Sequence, residues 1–222
     1  MEKIWALFLD SFPKILLPGL TMTIPLTAIS FFNALVIAVI TAMIVYAHVP
    51  VLTQLIRAYI WIFRGTPLLV QLFVVFYGLP KAGLLIDPFP AAVIVFSLNE
   101  GAYCSETVRA ALESVPLGQF EAGYCVGMSY LQVMRRIVLP QAMRTAFPPL
   151  SNSVISMVKD TSLAANITVT EMFMVTQRIV ARTYEPLVLY IEVGLIYLIF
   201  STVLTFLQRR GEKRLSAYLK RG

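Results

Sequence analysis

Long apolar runs alternate with short polar turns along this chain, and five of the runs are long enough to cross a lipid bilayer. A helix of about 20 apolar residues spans the hydrocarbon layer. The runs cover approximately residues 16–46, 54–79, 91–112, 142–163 and 186–207. They predict an all-α integral membrane protein with about five transmembrane helices, in which residues 16–208 form the membrane domain.

The segments outside these runs predict three further features. Residues 1–15 mix large apolar side chains with Lys3, Asp10 and Lys14, which is typical of an interfacial amphipathic helix. The mixed stretch 166–185 favours another helix at the interface. Residues 209–222 form a basic tail.

Composition and charge support a membrane protein and orient it. The chain is 58% hydrophobic and 14% charged, whereas soluble domains are about 25% charged. Two thirds of the 18 Lys and Arg residues follow the first, third and fifth spans. Because positive charge is retained on the cytoplasmic side, we expect the N-terminus outside and the C-terminus in the cytoplasm. The net charge of +6 is explained by this bias, so it does not indicate nucleic-acid binding.

The longest polar connection, residues 113–140, predicts a helical hairpin. Gly127 can adopt the left-handed conformation that ends a helix. Ser129 and Gln132 have capping-box spacing and can start a second helix. Pro140 is compatible with a break before the next span. The charge bias places this hairpin in the cytoplasm, where a partner protein can dock on it.

The same hairpin resembles the "EAA" motif of ABC importer permeases. The motif begins with Glu-Ala and has a glycine five residues after the alanine. Nine residues separate that glycine from the sequence Ile-x-Leu-Pro. Its members here are Glu121, Ala122, Gly127, Ile137, Leu139 and Pro140. Gly123 replaces the alanine that the family usually has, which is expected to loosen the first helix by up to about 1 kcal/mol.

The resemblance extends to the polar amino acid branch of these permeases and covers nearly the whole chain. The matching stretches are Phe63–Leu68, Tyr77–Pro80, Ala102–Tyr103 with Glu106 and Arg109, Leu139–Ala142 and Val158–Leu163. The pairing of Pro148–Ser153 with Lys159–Ala165 looks most like L-cystine permeases. The resemblance implies a bacterial inner-membrane protein that works as a dimer with two ATPase subunits and an extracytoplasmic amino-acid-binding protein. It also implies a substrate pocket between the third and fourth spans.

Polar residues inside the spans are the candidate substrate-binding residues. Polar and charged groups are costly in hydrocarbon and usually face a cavity or a partner. The candidates are Gln71, Asn99, Glu100, Tyr103, Asn152 and Ser153. Hydrogen bonding between helices is the alternative explanation. Ser153 is neutral where basic amino acid importers tend to carry an acid, which disfavours a cationic substrate, but Glu100 reopens that question.

Four charged residues are candidate gate or structural residues: Arg64, Glu106, Lys159 and Asp160. Glu106 is expected to form an ion pair with Arg109 or Arg64. Arg64 can also extend towards the interface. Lys159 and Asp160 can pair with each other or form a gate at the outer mouth.

The chain lacks the motifs of a self-sufficient motor or enzyme. It contains no Gly-x-x-x-x-Gly-Lys-Ser/Thr sequence, and no catalytic or metal-ligand set is apparent. Cys104 and Cys125 have no redox or metal spacing and are expected to be buried. We therefore expect no cofactor, and ATP hydrolysis by a separate subunit. The predicted function is import of a polar L-amino acid, best matched by L-cystine, by a homodimer rather than a heterodimer. Glutamine or basic amino acid import and an ion-coupled carrier are the alternatives.

Overall fold

The computed structural model describes residues 2–217, and every regular element in that range is helical. The elements include π-helical turns and 3₁₀ turns between the α-helices. The α-helices are α1 (Glu2–Pro18), α2 (Ile24–Tyr46), α3 (Pro50–Gly65), α4 (Leu68–Phe73), α5 (Pro88–Glu113), α6 (Leu117–Cys125), α7 (Tyr130–Val133), α8 (Leu139–Asp160), α9 (Met172–Thr183) and α10 (Pro186–Ala217).

Three prolines are accommodated in long helices by widened turns. A proline ring clashes with the carbonyl four residues earlier, and a π-turn re-routes that part of the hydrogen-bond ladder. The π-turns Gly19–Thr23, Val74–Gly78 and Met134–Val138 each end two residues before a proline, namely Pro25, Pro80 and Pro140. The break predicted at Pro140 is therefore wrong: the chain is helical without interruption from Tyr130 to Asp160.

The N-terminal helix also continues into the first span. Residues Glu2–Tyr46 form one helix of 45 residues, so there is no boundary at residue 15. The α1 part packs against α9 and α10 through an apolar cluster that includes Ile15 and Leu189. Its Ser11 Oγ donates a hydrogen bond of 2.6 Å to Glu192 Oε2.

The predicted second span is bent rather than straight. α3 and the helical segment Leu68–Ala82 meet at 105°. Thr66 has extended φ and ψ of −123° and 146°, because the residue before a proline is disfavoured in the helical region. Pro67 then starts the next helix. No widened turn precedes Pro67, and α3 ends at Gly65.

α5 is the central helix, and small residues let α2 approach it closely. Ser30, Ala34, Ala38 and Ala42 recur every four residues on α2 and are all buried. A Cβ added to Gly101 of α5 would lie 2.9 Å from Ile37. Small residues at this spacing are typical of helix pairs in membranes.

The span count agrees with the prediction once polar helices are included. Glu2–Tyr46 and Pro186–Leu215 are long and apolar enough to cross a membrane, and the bent α3–α4 pair provides a third candidate span. α5 and α8 have 26 and 22 residues, but polar side chains lower their hydropathy. α10 continues into the predicted basic tail, of which Lys220 and Arg221 lie outside the described residues.

Candidate functional site

A cavity of about 630 Å³ lies between α5 and α8, where the sequence places the candidate substrate residues. Ligand pockets in proteins typically measure 300–1,000 Å³. The lining residues are mainly polar: Arg64, Leu68, Asn99, Glu100, Tyr103, Glu106, Thr107, Pro149, Asn152, Ser153, Ser156, Asp160 and Leu163. Five of the six predicted substrate-binding residues thus line one space, and Gln71 does not.

Gln71 and Asn99 hold the bend between α3 and α4. Gln71 Nε2 donates to the carbonyl oxygens of Phe63, at 2.9 Å, and Thr66, at 3.1 Å. Asn99 Nδ2 donates to the same Phe63 oxygen and to Gln71 Oε1, at 3.1 and 3.0 Å. The last carbonyls of a helix lack partners within the helix. These two amides supply the missing donors, so Gln71 is committed to the backbone of the bend.

The cationic side of the cavity is formed by Arg64 and the Glu106 ion pair. The Arg64 guanidinium carbon lies 5.2 Å from the centre of the Tyr103 ring, which is cation–π geometry. Glu106 Oε2 lies 2.8 Å from Arg109 Nη2, so the expected ion pair forms with Arg109. Arg109 also contacts Glu113 at 2.7 Å. Arg109 therefore bridges two carboxylates of its own helix.

Two further carboxylates, those of Glu100 and Asp160, line the cavity. Glu100 Oε1 accepts a hydrogen bond from the Cys104 thiol at 3.5 Å, which is a weak donor. Asp160 also lines the cavity. Within residues 2–217, the ion pairs within 4 Å do not include Glu100 or Asp160. Lys159 is exposed and forms no ion pair with Asp160 within 4 Å, but its charge still acts on the Asp160 carboxylate.

Thr107 is the polar lining residue that the sequence prediction missed. It lies one helical turn beyond Tyr103, at the i, i+4 spacing that places two side chains on one helix face. Its spacing from Tyr103 would have been enough to predict it. Ser156 was recognised as part of a polar stripe with Asn152 and Ser153, and all three line the cavity.

The hairpin of α6 and α7 forms with the predicted caps. Gly127 has φ +79°, and its N–H donates to the Tyr124 carbonyl at 2.9 Å. The Met128 N–H donates to the Gly123 carbonyl at 3.0 Å, which completes a Schellman motif. Ser129 N–H donates to Gln132 Oε1 at 2.8 Å, as the capping-box spacing predicts.

Gly123 lets the two helices of the hairpin pack closely, a contact that its low helix propensity did not predict. A Cβ at this position would lie 2.7 Å from Val133 Cγ2 and 3.2 Å from Ile137 Cδ1. The missing side chain therefore lets α6 pack directly on the helix that starts at Tyr130. Val133 and Val138 belong to an apolar cluster that joins this hairpin to the adjacent ends of α5 and α8.

The outer surface of the hairpin is exposed and partly apolar. Glu121 and Ala122 are exposed, as is Cys125, whose predicted burial is therefore wrong. Cys104 is buried as expected. The large apolar side chains that remain exposed are Leu117, Tyr124, Val126, Tyr130 and Leu131. Exposed apolar groups of this extent mark interaction surfaces in folded proteins.

One helix connects this surface to the cavity. The helical segment from Tyr130 to Asp160 begins in the hairpin and carries Asn152, Ser153 and Asp160 into the cavity wall. The hairpin and the cavity wall are thus connected by a continuous helical backbone.

Comparison with known proteins defines the class that this fold and site belong to. Residues 34–217 match the family described as "binding-protein-dependent transport system inner membrane component". The chain belongs to this family of ABC importer permeases. It is a multi-pass membrane transport component rather than an enzyme.

The similar proteins are amino acid permeases. The chain is 48% identical over 216 residues to the L-cystine transport system permease protein TcyB of Bacillus subtilis, covering 97% of this chain and 92% of that protein. It is 35% identical to the glutamine transport system permease protein GlnP of Escherichia coli K12, covering 97% and 99%. Among solved structures it matches an amino acid ABC transporter crystallised with histidines, with a TM-score of 0.86, 29% identity, and 93% and 96% coverage.

Proposed function

We propose that this chain is the permease subunit of an ATP-driven importer that carries an L-amino acid, with L-cystine as the preferred substrate, into the bacterial cytoplasm. The observation that carries the proposal is the single helix joining an exposed hairpin to a polar cavity. Similarity to TcyB favours cystine, and similarity to GlnP keeps glutamine as the alternative.

In this mechanism the hairpin is the docking site of a separate ATPase dimer. The N-terminus lies outside and the C-terminus in the cytoplasm, in agreement with the charge bias. Closure of the ATPase pair moves the two hairpins of a homodimer, and the helices that start at Tyr130 turn with them. An extracytoplasmic binding protein delivers the substrate to the opposite face. The cavity is thereby opened alternately to the two sides.

The chemistry of the cavity suits a zwitterion. Arg64 can receive a carboxylate, because a guanidinium forms two parallel hydrogen bonds to it. Glu100 and Asp160 can receive an ammonium group. Asn99 is held by the bend and Ser153 is hydrogen-bonded to Glu100, whereas Asn152 lines the cavity and can contact the remaining polar atoms.

The test is reconstitution of this chain in liposomes with its ATPase and binding protein. We expect ATP-dependent uptake of labelled cystine. Gly127→Val should abolish uptake and co-purification of the ATPase, because a β-branched residue is strained at φ +79°. Gly118→Ala is the matched control, since it adds a methyl group to open space in the same hairpin. Uptake by this chain alone, driven by a pH gradient, would contradict the proposal.

A further inference from the structure

Residues 161–171, which we call the outer link, connect the cavity wall to α9. At one end of the link, Asp160 and Leu163 line the cavity. At the other end, α9 begins at Met172 and is capped by the side chain of Glu171. The link follows the end of α8 that is remote from the hairpin. It is therefore the direct covalent path between α9 and the cavity.

The middle of the outer link is fixed by its neighbours. The Tyr77 hydroxyl donates a hydrogen bond of 3.0 Å to the Asn166 carbonyl. Three residues of the link are buried in an apolar cluster with α5, namely Ala164, Ile167 and Val169. Closely packed residues move together rather than deform one by one. The link is thus built as a firm connection and not as a loose loop.

The two ends of the outer link meet at Tyr197 of α10. The Tyr197 hydroxyl donates to Glu171 Oε2 at 3.3 Å. The same hydroxyl is hydrogen-bonded to the side chains of Thr161 and Ser162. Thr161 and Glu171 are both fully buried, at 0% exposure. A single phenol of α10 therefore joins the start of the link to its end.

Glu171 does more than cap α9. Its Oε1 accepts from the Met174 N–H at 2.7 Å and its Oε2 from the Phe173 N–H at 2.9 Å. Shorter side chains such as Ser, Thr, Asp and Asn are the preferred caps, and one acceptor is sufficient. Burying a carboxylate is costly unless it is hydrogen-bonded. The longer Glu side chain caps the helix and also reaches Tyr197.

The exposed face of α9 carries two cations. Arg178 and Arg182 are exposed and four residues apart, so they lie on one side of the helix. Arg178 Nη2 also donates to Thr170 Oγ1 of the link at 3.5 Å. Tyr184 follows and is 84% exposed. Arginine and tyrosine are enriched at protein interfaces, and this pair suits acidic groups of a partner.

We propose that Tyr197 and Glu171 are positioning residues that couple α9 to the cavity wall, so that docking of the binding protein on α9 moves Asp160 and Leu163. This inference rests on the proposed transport function, in which a binding protein meets the face opposite the hairpin. The displaced end of α8 belongs to the helix that starts at Tyr130. Docking outside is thereby communicated to the ATPase through the hairpin.

The test is ATP hydrolysis by the reconstituted permease–ATPase complex, with and without the substrate-loaded binding protein. Tyr197→Phe retains the ring and removes the hydroxyl. We expect unchanged basal hydrolysis and a stimulation by the binding protein that is at least about five-fold lower. Tyr190→Phe is the matched control, since it makes the same change at an exposed position on α10. It should leave the stimulation unchanged.

Variants of Glu171 separate capping from coupling. Glu171→Asp retains a favourable cap but is one methylene too short to reach Tyr197, so it should lose stimulation as Tyr197→Phe does. Glu171→Gln retains the length and one cap acceptor, and should keep most of the stimulation. The double variant of Glu171→Asp and Tyr197→Phe should lose no more than either single variant, because both remove the same contact.

Normal stimulation of Tyr197→Phe by the binding protein would overturn the inference. So would an equal loss of basal and stimulated hydrolysis together with a lower melting temperature, because that result describes a residue needed only for folding. Absence of stimulation and of uptake in the wild-type complex would instead refute the proposed function. The two failures are therefore distinguishable.

Discussion

The two ends of the helix that runs from Tyr130 to Asp160 are built in opposite ways. At the hairpin end, Gly123 packs against Val133 and Ile137 with no space for one more carbon atom. At the cavity end, Ser153 and Asp160 face a space of about 630 Å³. Packing at the hairpin end depends on the shape of the side chains, whereas the lining of the cavity end depends on their charge. Changes of volume should therefore impair coupling, whereas changes of charge should alter substrate selection.

After the loss of uptake expected for Gly127→Val, the largest effect is expected from Gly123→Val. The added carbons collide with Val133, and overpacking of this kind typically costs about 1–3 kcal/mol. We expect at least ten-fold lower ATP-dependent uptake and a lower melting temperature in detergent. Adding Val133→Ala should restore much of both, because it removes the colliding methyl groups. If Gly123→Val alone transports normally, the hairpin does not depend on close packing.

The next effect concerns the bend between α3 and α4. Gln71→Leu keeps the size of the side chain but removes the donors to the Phe63 and Thr66 carbonyls. The Phe63 carbonyl keeps its bond from Asn99 and Thr66 is exposed, so the cost is that of the lost hydrogen bonds, about 0.5–1.5 kcal/mol each. We expect a lower melting temperature and several-fold slower uptake with unchanged substrate preference. The matched control is Gln177→Leu, at an exposed position on α9. A change of preference without loss of stability would mean that Gln71 contacts the substrate.

A smaller effect is expected from the ion pair between Glu106 and Arg109. Both side chains are about one-third exposed, at 32% and 30%, so water screens the attraction. A double-mutant cycle of Glu106→Gln and Arg109→Gln, followed by thermal unfolding, should give a coupling energy of no more than about 1 kcal/mol. A coupling several times larger would show that the pair is shielded from water.

The smallest effect is expected at the Asp10–Lys14 pair on α1. Its side chains are 65% and 58% exposed, and such pairs contribute well below about 1 kcal/mol. Asp10→Asn should leave uptake and the melting temperature within experimental error. A substantial loss would place this surface in a contact with another subunit.

The local features of the hairpin were predictable from the sequence. Gly127 and the Ser129–Gln132 pair act over three or four residues, so their spacing determines the caps. The close approach at Gly123 was not predictable, since it depends on which side chain of the next helix lies opposite. Loss of helix propensity was expected there, and a packing contact is found.

Prolines show where sequence patterns are insufficient. Pro140 was expected to break a helix and does not, whereas the break at Pro67 was not foreseen. A widened turn precedes Pro140, whereas Pro148 and Pro149 lie inside α8 without one, so the residue pattern around a proline does not predict whether the helix ends there. The bend at Pro67 also explains the role of Gln71. Its polar side chain inside a span correctly indicated a special role, but the carbonyls that need it exist only in the bent structure.

The cytoplasmic position of the hairpin is tested most directly by labelling Cys125. This thiol is exposed in the hairpin, whereas Cys104 is buried in α5, so the native chain has one accessible cysteine among its described residues. A membrane-impermeant maleimide is applied to intact cells and to inverted membrane vesicles that contain this chain without its ATPase, with Cys125→Ser as the control. We expect labelling in inverted vesicles and none in intact cells. Labelling of Cys125 in intact cells would place the hairpin outside and contradict coupling to a cytoplasmic ATPase.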